Sequence, residues 1–272
     1  MADGGNEAGI PAGDRIDNTR PHSARIWNYL ADGKDYYQVD AEAAERVLAV
    51  FPGMRDVTAE SRAFIGRVVR HLAEEEGVRQ FLDVGTGLPT RDNTHEVAQR
   101  AAPECRIVYV DNDPLVLAHA RALLSSAPEG RCDYVDADVR DPDRILEQAA
   151  ETLDFTRPVA LLLMGILAFI PDYDDARATV RRLVDALPSG SYLGLNDGSA
   201  TDPAYVEALR RHNESSGAAP YTARTPVEIA GYFDGLELLP PGVVSCARWR
   251  LEATPLEEPR EVAVYGGLAR KP

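Results

Sequence analysis

The sequence has few cysteines, few histidines and no long apolar run. Cys105, Cys132 and Cys246 are odd in number and far apart, which argues against a disulfide framework or a zinc cluster. The five histidines show no ligand spacing, and we expect no metal site. The longest apolar stretch, residues 160–170, is too short to span a bilayer, so no membrane segment is expected.

Basic residues are also scarce, with 29 Lys and Arg against 44 Asp and Glu and a formal net charge of −15. Nucleic-acid-binding surfaces are usually basic, so this balance argues against broad contact with nucleic-acid phosphates. The excess of negative charge is more simply explained by solubility. The N-terminus lacks the basic start and apolar core of a signal peptide. We expect a cytoplasmic protein that binds neither nucleic acid nor membrane, and the sequence does not predict its oligomeric state.

What the sequence does contain is a short apolar run that ends in two closely spaced glycines. Residues 81–84 predict a buried strand, and Gly85, Thr86 and Gly87 follow at once. Neither glycine has a Cβ, so the backbone can turn tightly there and lie against a ligand. A helical pattern over residues 93–102 completes the first unit of a nucleotide-binding α/β sheet.

This unit sits after a helical region and before a series of similar units. Residues 1–18 have little to bury and predict a disordered tail, and residues 19–78 predict a cap of three helices. Residues 79–272 alternate strands with helices, which is typical of a mostly parallel, three-layer α/β domain. Two late strand patterns, residues 243–249 and 262–269, have no helix between them and predict an antiparallel hairpin at a sheet edge.

Polar residues end the first three predicted strands. The glycine turn ends the first, Asp111 and Asn112 end the second, and Asp138 ends the third. The ends of parallel strands meet at one crevice, where ligands bind. A carboxylate on the second strand can accept from both ribose hydroxyls, and one on the third from an amine such as that of adenine. Each Asp alone can be a helix cap, but the series predicts an adenosine-bearing cofactor.

Residue 90 helps to decide which cofactor this is. A dinucleotide fingerprint needs a third glycine three residues after the second, and Pro89-Thr90 occupies that place. A Gly-Lys-Ser/Thr phosphate loop is also absent from the sequence. We therefore predict S-adenosylmethionine, whose sulfonium suits an acidic cleft, and a nicotinamide-dependent oxidoreductase is the weaker alternative.

Several segments resemble one known family. Residues 81–90, 93–99 and 108–114 (Val-Tyr-Val-Asp-Asn-Asp-Pro) are similar to the S-adenosyl methyltransferase family of actinobacteria, long described as a domain of unknown function. Residues 20–25 (Arg-Pro-His-Ser-Ala-Arg) and 33–35 (Gly-Lys-Asp) carry the same resemblance. It covers all but the N-terminal tail and implies a Rossmann-like class I methyltransferase fold with an N-terminal helical cap.

The resemblance also implies a set of cofactor contacts along the strand ends. The residues are Asp83, Gly85 and Gly87 for the methionine part, Asp111 and Asn112 for the ribose, Asp138 and Val139 for the adenine, and Met164 and Gly165 beside the sulfonium. Thr86, between the two glycines, is a further cofactor-binding candidate. Family members often carry His-Phe and Ser-His pairs where this chain has Ala168-Phe169 and Asn196-Asp197. Both departures weaken any transfer of a catalytic base from the family to this chain.

Candidate catalytic residues come from positions near the predicted crevice. Methyl transfer needs mainly in-line positioning, with a base where the nucleophile must lose a proton. His95 starts the helix after the glycine turn, and Asn196 and Asp197 end the fifth strand, so we predict these three. The alternatives are a histidine bonded to the backbone and an ordinary turn after a strand.

A polar and aromatic stretch in the helical cap predicts a lid over the pocket. Its substrate or lid candidates are Tyr29, Lys34, Asp35 and Tyr36. His22 and Arg25 are expected to fix this lid by hydrogen bonds, and Trp27 is expected in the core. The alternative is a surface loop whose aromatic side chains pack on the core.

The sequence therefore predicts an S-adenosylmethionine-dependent methyltransferase that acts on an unidentified small-molecule acceptor. The alternative from another class is a non-catalytic sensor of S-adenosylmethionine or S-adenosylhomocysteine. The two hypotheses share the cofactor and differ in turnover.

Overall fold

The computed structural model describes residues 16–90, 92–123, 126–251 and 259–272. The predicted tail lies outside these ranges except for residues 16–18. No helix within these ranges is long and apolar enough to cross a membrane.

From residue 16 onwards, three helices precede the sheet: α1 Ser23–Leu30, α2 Gln38–Val50 and α3 Met54–Glu74. The buried stripe of α3 consists of Phe64, Val68 and Leu72, whose spacing puts them on one helix face. Asp40 is the third residue of α2 and not its N-cap. It lies in the first turn, where its carboxylate accepts from the backbone N–H of Tyr37, and the helix therefore begins at Gln38.

Within the described residues, eight strands form one sheet. They are β1 Gln80–Val84, β2 Arg106–Asp111, β3 Arg131–Asp136, β4 Ala160–Met164, β5 Tyr192–Gly198, β6 Glu237–Leu238, β7 Val244–Ser245 and β8 Val264–Arg270. The strand order is β3-β2-β1-β4-β5-β8-β6, and β7 also pairs with β8. The first five strands are parallel to one another, and β8 runs antiparallel to β5. This confirms the predicted α/β class with its mostly parallel sheet.

Helices cover both faces of this sheet. Those after β1 are α4 Thr94–Ala101, α5 Pro114–Leu123, α6 Pro142–Ala149, α7 Tyr173–Asp185, α8 Pro203–Ser215 and α9 Pro226–Gly231. Successive residues of β1, Phe81 and Leu82, belong to two different hydrophobic clusters, because side chains alternate between the faces of a strand. The sheet is therefore the middle of three layers.

The C-terminal strands differ from the predicted edge hairpin. β7 and β8 do pair antiparallel, but β8 lies between β5 and β6 and not at the edge. The predicted strand over residues 243–249 shrinks to β7, since a 3₁₀ turn, Cys246–Arg248, follows it. Trp249 beyond this turn is fully buried, with its ring 5.2 Å from that of Phe64 on α3. The apolar pattern there reflects burial against α3 and not strand pairing.

Candidate active site

A cleft opens where the carboxyl ends of β1, β2 and β4 face α1 and α3. Its volume is about 890 Å³, including the part that is open to solvent. The lining on the sheet side comprises Asp83, Gly85, Thr86, Gly87, Asp111, Asn112, Met164 and Gly165. The structure thus brings together all the predicted cofactor residues except Asp138 and Val139.

The glycine turn after β1 forms the floor of the cleft. Gly85 and Gly87 both have positive φ angles, +77° and +67°. A Cβ on Gly85 would lie 2.6 Å from the side chain of Ile166, whereas a Cβ on Gly87 would meet no atom within 4 Å. The backbone N–H groups of Gly85 and Thr86 donate to the Val110 carbonyl. The turn is therefore tied to β2, and its glycines permit both the left-handed backbone and the close approach of Ile166.

Asp111 joins the glycine turn to the end of β2. Its carboxylate accepts from the backbone N–H of Gly87 at 2.8 Å and from that of Asp113 at 2.9 Å. Burial raises the pKa of Asp111 above its usual range, and these two hydrogen bonds oppose that shift. Because a carboxylate offers about four acceptor positions, two remain for a ligand such as a pair of ribose hydroxyls.

Opposite charges meet beside the glycine turn. Asp83 accepts from the Thr94 hydroxyl at 2.6 Å, and Arg62 donates from α3 to the Leu88 carbonyl at 3.2 Å. Burial raises the pKa of Asp83 to about 6, while the Thr94 bond and the nearby Arg62 charge lower it. Asp83 and Arg62 both line the cleft. A carboxyl and a guanidinium in one place suit the ammonium and carboxylate of an amino-acid group.

One face of α3 lines the cleft, which the sequence did not lead us to predict. It consists of Thr58, Ser61, Arg62 and Ile65. These positions follow the i, i+3, i+4, i+7 spacing of a helix face, and that spacing is the signal that indicates them. From α1, Trp27 and Asn28 also line the cleft. Trp27, expected in the core, packs against the core on one side and borders the cleft on the other.

Asp138 and Val139 do not line the cleft. The carboxylate of Asp138 accepts from the Arg140 side chain at 2.6 and 2.8 Å and from Asn112 at 3.1 Å. The Arg140 bonds lower the pKa of Asp138. Val139 is buried in the apolar cluster on one face of the sheet. Asn112 lines the cleft and is thus the residue that links Asp138, which follows β3, to the cleft.

His95 is buried away from the cleft, contrary to its predicted role. Its ring Nδ1 lies 2.9 Å from the Tyr109 hydroxyl, which also accepts from the His95 backbone N–H at 2.7 Å. Burial lowers the pKa of His95. His95 is therefore a buried, neutral imidazole bonded to Tyr109 on β2, and we no longer propose it as a catalytic base.

The fully buried Asn196 lies beside the cleft at the end of β5. Its amide Nδ2 donates to the Ser61 hydroxyl at 3.1 Å, and its backbone carbonyl accepts from the N–H of Gly165 at 2.9 Å. Ser61 and Gly165 both line the cleft. Asn196 therefore supports two walls of the cleft at once.

Asp197, the next residue, forms a pair with Tyr221. The Tyr221 hydroxyl donates to Asp197 Oδ1 at 3.2 Å, and Oδ2 is buried without a hydrogen-bond partner among the described residues. Burial raises the pKa of Asp197 to about 7. A Cβ on Gly165 would lie 4.0 Å from the Tyr221 hydroxyl and 3.9 Å from Asn196 Oδ1. The phenol–carboxyl pair thus stands next to the turn after β4.

The raised pKa of Asp197 predicts a pH-dependent stability. An unfolded Asp titrates near 3.9, so between about pH 4 and pH 7 the native protein binds the extra proton. Stability contributed by this group therefore falls as the pH rises through that window. In urea unfolding at pH 8, we expect the free energy of unfolding of Asp197→Asn to exceed that of the wild type by on the order of a few kcal/mol. At pH 4 the two free energies should be nearly equal. Equal stability at pH 8 would contradict this assignment.

The predicted lid residues do not line the cleft. Tyr29 bonds to Glu45 on α2 and packs edge to face with Tyr36, with ring centroids 4.9 Å apart, on the outside of the cap. Lys34 is exposed. The aromatic pair thus belongs to the outer surface of the cap.

Asp35 acts through its backbone N–H, which donates to Asn28 Oδ1 at 2.9 Å and so fixes a cleft residue. His22 and Arg25, which were predicted to fix the lid by hydrogen bonds, both lie next to Asp113 instead, with Arg25 Nε 3.6 Å from Asp113 Oδ2. His22 Nδ1 lies 2.9 Å from Asp113 Oδ2, which joins the N-terminus of α1 to the residues after β2. The cover of the cleft is therefore α1.

Gly33 makes room for Asn28. A Cβ on Gly33 would lie 2.2 Å from Asn28 Oδ1. We expect Gly33→Ala to displace Asn28 and to lower the melting temperature by several degrees, as measured by differential scanning calorimetry. Gly66→Ala is the matched control, because its Cβ meets no atom within 4 Å inside helix α3, where Ala is favoured over Gly. If both substitutions left stability equal or higher, the packing role of Gly33 would be refuted.

Comparisons with known proteins agree with this architecture. A family model described as S-adenosyl methyltransferase matches residues 10–272. A DUF574 family protein from Streptomyces avermitilis is 46% identical with a TM-score of 0.90, over 95% of this chain and 100% of its own. A protein from Thermobifida fusca, provisionally described as a methyltransferase, is 40% identical with a TM-score of 0.86, over 94% and 96% of the two chains.

More distant structures share the fold alone. An O-methyltransferase family protein from Burkholderia thailandensis is 15% identical with a TM-score of 0.53, over 86% of this chain and 60% of its own. None of the curated proteins matches the chain significantly. The predicted Rossmann-like class I methyltransferase fold and the predicted family are confirmed.

Proposed function

Because the chain belongs to the S-adenosyl methyltransferase family, with S-adenosylmethionine as its cofactor, we propose that it methylates a hydroxyl group of a small-molecule acceptor bound in the cleft. The observation that carries this proposal is the Tyr221–Asp197 pair beside Gly165. A buried carboxyl behind a phenol gives a proton a route away from an acceptor hydroxyl, which a binding protein has no need for.

The cleft residues fit the cofactor. Asp111 has two free acceptor positions for ribose hydroxyls, and the space above Gly87 is open. Asp83 and Arg62 offer opposite charges for the amino-acid end. When bound, S-adenosylmethionine supplies a methyl group on a sulfonium that needs no further activation.

Tyr221 and Asp197 would receive the proton of the acceptor. The Tyr221 hydroxyl can accept from the acceptor hydroxyl while it donates to Asp197 Oδ1, 3.2 Å away. Two concerted proton shifts leave Tyr221 neutral and protonate Asp197, while the acceptor oxygen gains the methyl group. Because burial raises the pKa of Asp197 to about 7, its carboxylate is a stronger base than an exposed one and is still ionised near neutral pH.

Positioning residues would complete the site. Asn196, held by Ser61 and next to Gly165, presents its amide at the turn after β4. Asn28 and Trp27 on α1 close the other side. Fixing the acceptor oxygen relative to the methyl group is the main catalytic requirement of this reaction.

The test separates an enzyme from a sensor. Titration calorimetry with S-adenosylmethionine, S-adenosylhomocysteine and NAD measures binding, and incubation with methyl-labelled S-adenosylmethionine and a panel of phenols and alcohols measures transfer. Binding of both sulfur compounds with label in an extractable product is the expected result. Binding without transfer to any member of a broad panel would favour a sensor, and binding of NAD alone would refute both functions.

A further inference from the structure

One face of α1 lines the cleft. Its residues follow the i, i+3, i+4, i+7 spacing of a helix face and are Ala24, Trp27, Asn28 and Ala31. Ile26 and Leu30, elsewhere around the same helix, are buried in the core. His22, the N-cap of α1, lines the cleft as well, and its side chain is 34% exposed. The N-terminus of α1 thus brings a histidine ring to the cleft.

Among the described residues, only one nitrogen of the His22 ring has a partner. Nδ1 lies 2.9 Å from Asp113 Oδ2, and the backbone nitrogen of Ala24 lies 3.4 Å from the same Nδ1. Burial raises the pKa of Asp113, but the contact with His22 and further bonds outweigh burial and hold this pKa below its usual range. A lone pair on Nδ1 would face a carboxylate, so Nδ1 carries the proton. Nε2 is therefore the nitrogen that remains for a ligand.

Asp113 places His22 beside Asp111, the residue predicted to bind the ribose. The backbone N–H of Asp113 donates to Asp111 Oδ1 at 2.9 Å, while the side chain of Asp113 contacts His22. Burial raises the pKa of Asp111, and the charge of His22 is among the interactions that lower it. Such an effect requires the two groups to be close together. Both residues line the same cleft, so a ribose bonded to Asp111 lies next to His22.

The position of His22 is also fixed from its other side. Its backbone N–H donates at 2.8 Å to Oδ1 of Asp40, which is fully buried. The guanidinium of Arg25 lies 3.8 Å from Asp40 and 3.6 Å from Asp113, so it bridges the two carboxylates that hold His22. A ring held in this way loses little freedom when it binds a ligand, which favours binding.

We propose that His22 binds the cofactor from the cap side, with Nε2 in a hydrogen bond to a ribose hydroxyl of S-adenosylmethionine. A hydroxyl both donates and accepts, so it suits either protonation state of the ring. It donates to the lone pair of a neutral His22, or it accepts from the Nε2–H of a protonated one and donates to Asp111. The helical cap is therefore part of the cofactor site, and this role of His22 does not depend on the identity of the methyl acceptor.

The test removes the ribose hydroxyls one at a time. The full-length protein is titrated calorimetrically with S-adenosylhomocysteine and with its 2′-deoxy and 3′-deoxy analogues. The hydroxyl effect is the factor by which binding weakens when one hydroxyl is removed. We expect one hydroxyl effect of about tenfold or more in the wild type, and an effect at least about threefold smaller in His22→Ala. Equal effects in the two proteins for both analogues, or wild-type binding indifferent to both hydroxyls, would overturn the proposal.

Two further substitutions separate this contact from the support that His22 gives to α1. His22→Asn keeps a polar atom at the place of Nδ1 and is a good N-cap, but it lacks Nε2. Its melting temperature should stay near that of the wild type, while its hydroxyl effect should fall as in His22→Ala. His22→Gln places a polar group near the position of Nε2 and should retain part of the hydroxyl effect.

The same variants define the results that would contradict the proposal. If His22→Asn kept the full hydroxyl effect, Nε2 would have no part in binding. If all three substitutions weakened the binding of S-adenosylhomocysteine and both analogues by one common factor, His22 would serve only to hold α1. His22→Asn also takes the place of His22→Ala if the alanine variant does not fold.

His119→Asn is the matched control. His119 also meets the cap, with Nε2 3.9 Å from Asp35 Oδ1, but it does not line the cleft. Its hydroxyl effects should equal those of the wild type, and a fall as large as in His22→Asn would overturn the assignment to His22. Wild-type protein that failed to bind S-adenosylhomocysteine would refute the cofactor site as a whole. The expected hydroxyl effects without methyl transfer would support the role of His22 and count only against the proposed acceptor chemistry.

Discussion

Tyr221→Phe is expected to reduce kcat about 100-fold or more while leaving the affinity for S-adenosylmethionine unchanged. The substitution removes the hydroxyl that links the acceptor to Asp197, and general-base assistance is typically worth two to four powers of ten. The ring itself stays packed on Phe169, so the cleft keeps its shape. The measurement is the initial rate of transfer from labelled S-adenosylmethionine to a phenol that the wild type methylates.

The pH profile tests whether Asp197 is the proton acceptor. Its carboxylate must be ionised to accept, so wild-type kcat should fall as the pH drops below about 7. The Tyr221 hydrogen bond lowers the pKa of Asp197, and in Tyr221→Phe the acidic limb should therefore move to higher pH. In Asp197→Asn that limb should disappear and the rate should be low at every pH.

Tyr192→Phe provides the matched control for this pair. Tyr192 is a buried tyrosine on the same strand, β5, but at its amino end, where its hydroxyl donates to Glu76. Its loss removes one hydrogen bond, worth about 1 kcal/mol of stability, and should not change kcat. Equal effects of Tyr192→Phe and Tyr221→Phe on kcat would mean that Tyr221 contributes only to stability.

The features that sequence predicted well are those that the backbone imposes locally. Gly85 and Gly87 need left-handed backbone, which glycine adopts most easily, and a turn with two glycines after an apolar run signals that geometry. Asp111 follows because parallel strands end at a common edge. These residues could be placed in one cleft from their positions in the chain alone.

The features that sequence missed depend on contacts between distant segments. Tyr221 meets Asp197 across 24 residues, and it is held by Asn213 through hydrogen bonds in both directions. Nothing in the sequence around Tyr221 indicates that contact. Arg62 was missed although it follows the helical spacing of the cleft-lining face, because the apolar stripe of α3 alone accounted for the helix.

Other residues were predicted to act at the site because of their side-chain chemistry, but their surroundings do not permit that role. His95 has the right side chain at the right end of a helix, yet the neighbouring strand tyrosine takes its hydrogen bond. The pair Tyr29 and Tyr36 forms an aromatic cluster, but the turn of α1 directs it to the outer surface of the cap. Residue type predicts chemistry, and only packing decides where that chemistry is used.

Asp111→Ala is expected to weaken binding of S-adenosylmethionine by at least about 100-fold, because two hydrogen bonds to a charged group are worth about 3 kcal/mol together. Asp111→Asn keeps an acceptor of the same shape without the charge, and its affinity should lie between the two. The measurement is calorimetric titration, supported by the rise in melting temperature on adding saturating cofactor, which should be large for the wild type and small for Asp111→Ala.

Asp111 also supports the glycine turn, so the interpretation needs a variant that loses stability elsewhere. Asp172→Ala removes the side chain that caps α7, at a cost of about 1 kcal/mol, and does not touch the cleft. Cofactor affinity should be unchanged in Asp172→Ala even if its melting temperature falls as far as that of Asp111→Ala. If Asp111→Ala bound S-adenosylmethionine as tightly as the wild type, the wild-type Asp111 carboxylate would serve only to hold Gly87 and Asp113. The ribose would then have to be held by other residues, and Asn112 would be the first to test.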